Sequence, residues 1–218
     1  MPAAFTSAAD PQRILFIGNS FSFYNNGLHT HYRNLAEAAG ITAEARLFTL
    51  SAGTLAEHTR TAAAVLAGEP WDIVVLQGHS MGPLDPATVG SFRSSAVSLA
   101  KMVRDVGAEP FLFMTWAYEG RPDMTETLAA QYRDTGELAN AAVVPVGLAF
   151  AYVTENHPEI TLRTADTKHP TLAGSYLAAC VFFARFERRS PEALDYTAGL
   201  DPKIAQALQS AAWHVISR

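Results

Sequence analysis

Two serines in this chain stand where a short apolar run ends, the place at which a sheet can present a nucleophile to solvent. Ser80 lies in Gly78-His79-Ser80-Met81-Gly82, directly after DIVVLQ. Its Gly-x-Ser-x-Gly spacing is that of a nucleophile elbow, a strained turn between a strand and a helix that begins at once. Ser20 lies in Gly18-Asn19-Ser20, directly after RILFI. A serine hydroxyl is a weak nucleophile near neutral pH and needs a base within hydrogen-bond reach, itself oriented by a third group. Asp166-Thr167-Lys168-His169-Pro170 can supply both. His169 would take the proton, and Asp166, three residues earlier, would hold the other ring nitrogen.

The two serines are not equivalent. Pro83 and Pro86 follow Ser80 closely and oppose the immediate helix that an elbow requires. Only two strands precede it, and an elbow draws its acid and base from separate loops, whereas here they share one. Ser80 is therefore read as pocket lining and Ser20 as the nucleophile. Each pattern has an ordinary reading when alone: a Gly-Asn-Ser turn is common, and Asp-x-x-His often caps a helix. Both together, in order and at strand ends, argue for a site.

The elements that must position these groups alternate along the chain. Apolar runs at 13–17, 45–50, 72–77, 111–116 and 141–147 read as five strands. Helical patterning falls at about 28–39, 54–67, 91–107, 124–139, 148–155, 171–187 and 202–217. Repeated βαβ units of this kind imply a parallel sheet with helices on both faces, and ligands bind at the carboxyl ends of its strands. No repeat or linker divides the 218 residues, so one domain is expected over 1–218, with 1–12 as an N-terminal lead.

At 49% hydrophobic and 17% charged residues, with a net charge of −5, the composition is that of an ordinary globular protein. No basic run interleaved with aromatics suggests nucleic acid as a partner. Cys180, the only cysteine, excludes an internal disulfide and falls in an apolar helix as a core residue. The histidines outside the Asp-x-x-His loop show no spacing with acidic partners that suits a metal, and none is expected. MPAAFTSAADPQR lacks the basic and apolar regions of a signal peptide, and no run spans a bilayer. The cytoplasm is the expected compartment, although a trimmed secretion signal would leave the same chain.

ILFIGNSFSFYNN resembles the first block of the SGNH (GDSL-type) hydrolase superfamily, with Asn19 where most members carry Asp, and ADTKHPTLAGSYLAA resembles its last block. Gly53 falls at the second-block glycine. Gln77-Gly78-His79-Ser80 departs from the usual third block but is similar to the Q-G-E-S form of carbohydrate and sialate O-acetylesterases. The resemblance implies a three-layer α/β/α sandwich with a flavodoxin-like strand order 2-1-3-4-5. It also implies a serine esterase that removes short acyl groups, acetyl above all, from an alcohol or carbohydrate without a cofactor. Backbone N–H groups of Ser20 and Gly53 are candidate oxyanion donors, and the Gln77 amide is the expected replacement for the missing third-block Asn, with His79 or Ser80 as substitutes. Trp116 and Tyr118 are candidates to line the pocket or to pack as ordinary aromatics. An acyltransferase on the same site and a non-catalytic carbohydrate-binding module are the alternatives. A nucleotide binder would lack both G-x-G-x-x-G and the P-loop lysine.

Overall fold

The computed structural model describes residues 12–218, so the expected N-terminal lead lies outside the described residues except for Gln12, which already belongs to the first strand. Strands β1 (Gln12–Gly18), β2 (Ala43–Thr49), β3 (Ile73–Leu76), β4 (Glu109–Phe113) and β5 (Ala142–Val144) form one sheet in the order β2-β1-β3-β4-β5. Every pairing is parallel. β1 sits between β2 and β3, and the order reverses there, so its carboxyl end opens into the crevice where ligands bind in such sheets.

Alternation along the strands divides the apolar side chains between two cores. Ile14, Phe16, Val75 and Phe113 face one side, covered by α2 (Leu28–Ala38), α6 (Val146–Asn156), α7 (Leu172–Glu187) and α8 (Pro202–Ile216). Leu15, Ile17, Val74 and Leu112 face the other, covered by α3 (Leu55–Gly68), α4 (Val89–Asp105) and α5 (Asp123–Ala139). α7 is buried from Ala173 to Ala184, including Cys180, which explains why its sequence is apolar almost all round.

Two details differ from the sequence reading, and a third agrees with it. A single helical turn, α1 (Ser20–Phe23), begins at once after β1, and it is too short for periodicity to reveal. Gln77 and Met114–Trp116 lie beyond the ends of their strands, although the Gln77 N–H still donates to Ile17 O at 2.8 Å, one step past the β3 ladder. After Gly78-His79-Ser80-Met81-Gly82 the chain runs through successive turns, and α4 starts only at Val89, as the two prolines require.

Candidate active site

The first strand delivers Ser20. Asn19 caps α1 by accepting the Phe21 N–H on its Oδ1 at 3.2 Å, and Ser20 is the first residue of the turn. Gly18 must be glycine here. A Cβ at that position would lie 2.5 Å from Gln77 Oε1 and 2.7 Å from Ser22 Oγ, closer than packed atoms tolerate. Half-buried Ser20 places its hydroxyl 2.8 Å from His169 Nε2, and its own backbone N–H meets no acceptor among the described residues.

Residues 164–169 deliver His169 in a tight loop. Its base is closed by Thr164 N–H donating to His169 O at 2.8 Å and by the bridge between Arg163 and Pro170. Thr167 takes a left-handed backbone (φ 69°) to complete the turn. Asp166 Oδ1 accepts from Thr164 Oγ1, Lys168 N and His169 N, each at 2.9 Å, and Oδ2 faces His169 Nδ1. The bond to the imidazole, followed by the two backbone donors, holds the Asp166 carboxyl well below the usual carboxylate range. An ionised carboxylate at Nδ1 pairs with a proton on that nitrogen, which leaves Nε2 as the acceptor for the Ser20 hydroxyl. The structure thus brings Ser20, His169 and Asp166 into one connected line.

The other expected site residues fall elsewhere. Gln77 is fully buried, and its carboxamide is spent on neighbours, so it is not an open oxyanion donor. Its Oε1 accepts from Asn19 N and Ser22 Oγ, both at 2.9 Å, while Nε2 donates to Asn19 Oδ1 (2.8 Å) and Gly78 O (2.6 Å). It braces the nucleophile turn from below. The Gly53 N–H is likewise engaged, donating to Leu50 O at 2.9 Å within its own turn, while Gly53 O accepts from Asn19 Nδ2 at 2.9 Å. A side chain at Gly53 would press a Cβ to 2.7 Å from that of Leu50, so the glycine serves close packing.

Trp116 is fully buried and cannot line a substrate pocket. Its indole is sandwiched between Phe21 (4.5 Å) and Phe150 (4.1 Å), both within 3° of parallel, and its Nε1 donates to Lys168 O at 2.9 Å. It therefore ties the acid–base loop to the nucleophile turn. Ser80 is buried and shares a 2.7 Å hydrogen bond with the Tyr118 hydroxyl, joining the loops after β3 and β4. Half-buried His79 accepts the Met81 N–H at 3.3 Å on Nδ1.

Sequence reasoning missed three residues around the site. Tyr24 stacks on the His169 ring at 4.5 Å and 9°. Asn25 donates its Nδ2 to Pro170 O (3.0 Å) and Ser175 Oγ (2.8 Å), clamping the residue after His169. His58 is fully buried under the nucleophile turn, with Nε2 2.9 Å from Gly18 O. Tyr24 and Asn25 belong to a stretch legible only as a turn, and His58 to a helix whose facing partner is distant in sequence. Among the described residues no group of three His, Cys, Asp or Glu side chains is arranged to hold a metal, and no helix is long and apolar enough to cross a membrane.

No model of a protein family matches the chain, and no curated protein matches it by sequence. Solved structures do. A DUF4886 family protein from Bacteroides uniformis superposes with a TM-score of 0.80 at 22% identity over 95% of each chain. A protein assigned to the SGNH hydrolases from Slackia heliotrinireducens is 30% identical over 80% of this chain and 98% of its own, with a TM-score of 0.67. An acetylxylan esterase, Axe2 from Geobacillus stearothermophilus, shares the fold at 15% identity and a TM-score of 0.64, over 78% of this chain and 92% of its own.

Proposed function

The chain belongs to the SGNH hydrolase superfamily, and from that premise we propose that it is a serine esterase releasing short acyl groups, acetyl foremost, from an alcohol or sugar oxygen. The observation that carries the reading is the 2.8 Å contact from Ser20 Oγ to His169 Nε2, with Asp166 on the far ring nitrogen.

In this reading His169 takes the Ser20 proton as the oxygen attacks the ester carbonyl carbon. The developing oxyanion meets the Ser20 N–H, the donor left open beside the nucleophile. The imidazolium, stabilised by the Asp166 carboxylate, then gives its proton to the departing alcohol. A water deprotonated by the same His169 attacks the Ser20 ester, and the carboxylic acid leaves with Ser20 restored. No metal or cofactor enters any step.

Support for acetyl comes from neighbours of the same fold named as acetylxylan esterases. The test is hydrolysis of a nitrophenyl ester series from acetate to palmitate, together with acetylated xylo- and gluco-oligosaccharides. We expect kcat/KM to be highest for acetate and to fall with chain length. A maximum on long acyl chains would overturn the acyl assignment. Absence of turnover together with absence of fluorophosphonate labelling would leave only the binding-module alternative.

A further inference from the structure

We propose that Tyr24 is a positioning residue for His169, setting the plane of the imidazole and placing the face of the phenol ring against the positive charge that forms on it during attack. The proposal rests on the reading of His169 as the base. Asp166 meets His169 at Nδ1. A hydrogen bond at that one nitrogen leaves the imidazole free to tilt about the contact, and tilting would swing Nε2 away from Ser20. Tyr24 removes this freedom by lying nearly parallel over the ring, with 4.5 Å between centroids and 9° between planes, while Phe21 bounds it edge-on at 5.5 Å.

The backbone of Tyr24 is itself held by the nucleophile turn. Its backbone N–H donates to Ser20 O at 3.2 Å, and its carbonyl accepts from Gly27 N at 3.0 Å. The next residue, Asn25, takes a left-handed backbone (φ 53°) and grips Pro170 O and Ser175 Oγ. Nucleophile, stacking ring and base are therefore tied into one unit by adjacent residues.

The electrostatics act in the same direction. The face of an aromatic ring carries negative potential and attracts a cation over it, whereas a neutral ring gains little. His169 is neutral before attack and cationic afterwards, so the stack stabilises the state that forms as Ser20 loses its proton. At 25% side-chain exposure the imidazole is partly desolvated, which strengthens the effect. The charged or titratable groups around it are Asp166 and Lys168 on its own loop, Ser20 from α1, and Tyr24 directly after α1. The ammonium of Lys168 is directed over the Tyr118 ring at 5.2 Å. Behind the loop, Glu119 and Arg163 are paired at 3.1 Å. Replacing Tyr24 alters none of the formal charges.

The test is an NMR titration of the His169 imidazole in the full chain, its signal identified by loss in His169→Gln, run beside the pH dependence of kcat/KM. In Tyr24→Leu we expect the His169 pKa to fall by about half a unit, the size of a partly exposed cation–π contact. The acid limb of kcat/KM should move down equally, and the plateau should drop about 3- to 10-fold, up to about threefold because a less stable imidazolium is a poorer base and the rest because the ring is less well oriented toward Ser20. Tyr24→Phe keeps the ring face and should keep both parameters. Tyr24→Met serves as a second non-aromatic variant if Tyr24→Leu folds poorly. An unmoved or raised pKa in the non-aromatic variants, or an equal loss in Tyr24→Phe, would overturn the proposal. The titration needs no turnover, so a pKa that shifts as expected in a protein that hydrolyses no ester counts against the esterase reading and not against this contact.

Discussion

Gln77 and Asn19 exchange two hydrogen bonds across the base of the nucleophile turn: the Asn19 N–H donates to Gln77 Oε1 at 2.9 Å, and Gln77 Nε2 donates to Asn19 Oδ1 at 2.8 Å. The pair is buried, so removing one member strands the other. Gln77→Ala should therefore cost at least about 2 kcal/mol of stability, since one unpartnered buried polar group costs about 1–3 kcal/mol. Urea unfolding checks this through a lowered midpoint at unchanged slope. An unchanged midpoint with slowed acylation would instead restore Gln77 to the oxyanion role.

Asn19→Asp tests the same network from the other side. Asn19 Nδ2 donates to Gly53 O at 2.9 Å, and a carboxylate there would set an acceptor against a carbonyl in a buried site. The aspartate variant should cost this chain roughly 1–3 kcal/mol in the same unfolding measurement. A variant as stable as the parent would mean that the Gly53 contact contributes nothing.

The five strands and their parallel pairing were legible because short apolar runs, each bounded by turn residues, alternate with helical patterns. The order 2-1-3-4-5 was implied by the family resemblance, and the register came from the structure alone. Ser20, Asp166 and His169 were legible because they follow strand ends or share a short loop. What failed were assignments that depend on the third dimension. The amide of Gln77 is a donor of the right type, but its neighbours Asn19 and Ser22 consume it. Trp116 follows a strand as a pocket residue would, yet Phe21 and Phe150, distant in sequence in both directions, enclose it. Tyr24 was hidden in the turn that follows a single-turn helix, where no periodic signal reaches it.

Asp166→Asn should lower kcat by about 10⁴-fold with little change in stability, because the amide no longer fixes the Nδ1-protonated tautomer while its side chain is 46% exposed. Steady-state kinetics beside thermal unfolding separate the two effects. Activity within tenfold of the parent would remove Asp166 from the account. In the parent, the carboxyl is held below the usual range, so kcat/KM should show no loss of its own where ordinary carboxylates protonate.

Stability should itself depend on pH through His31 and His58. Both are buried, and burial lowers the pKa of each below its ordinary value of about 6.5. Above that value both rings are neutral folded or unfolded, and stability is unaffected. As pH falls through it, the unfolded chain takes up protons that the folded chain refuses, so stability declines. Urea midpoints should drop from pH 7.5 to pH 5.5, and the drop should shrink in His58→Gln. A midpoint independent of pH in this window would contradict the assignment.

The identity of the nucleophile is the central claim, and covalent labelling tests it most directly. Ser20→Ala and His169→Ala should each abolish most turnover, and the double variant should be little worse, because the groups act as a unit. Ser80→Ala removes only a hydrogen bond to Tyr118 and should retain most activity. Fluorophosphonate treatment followed by mass spectrometry should find the adduct on Ser20 in the parent and in Ser80→Ala, and no adduct in Ser20→Ala. An adduct on Ser80, or labelling that survives in Ser20→Ala, would contradict the account.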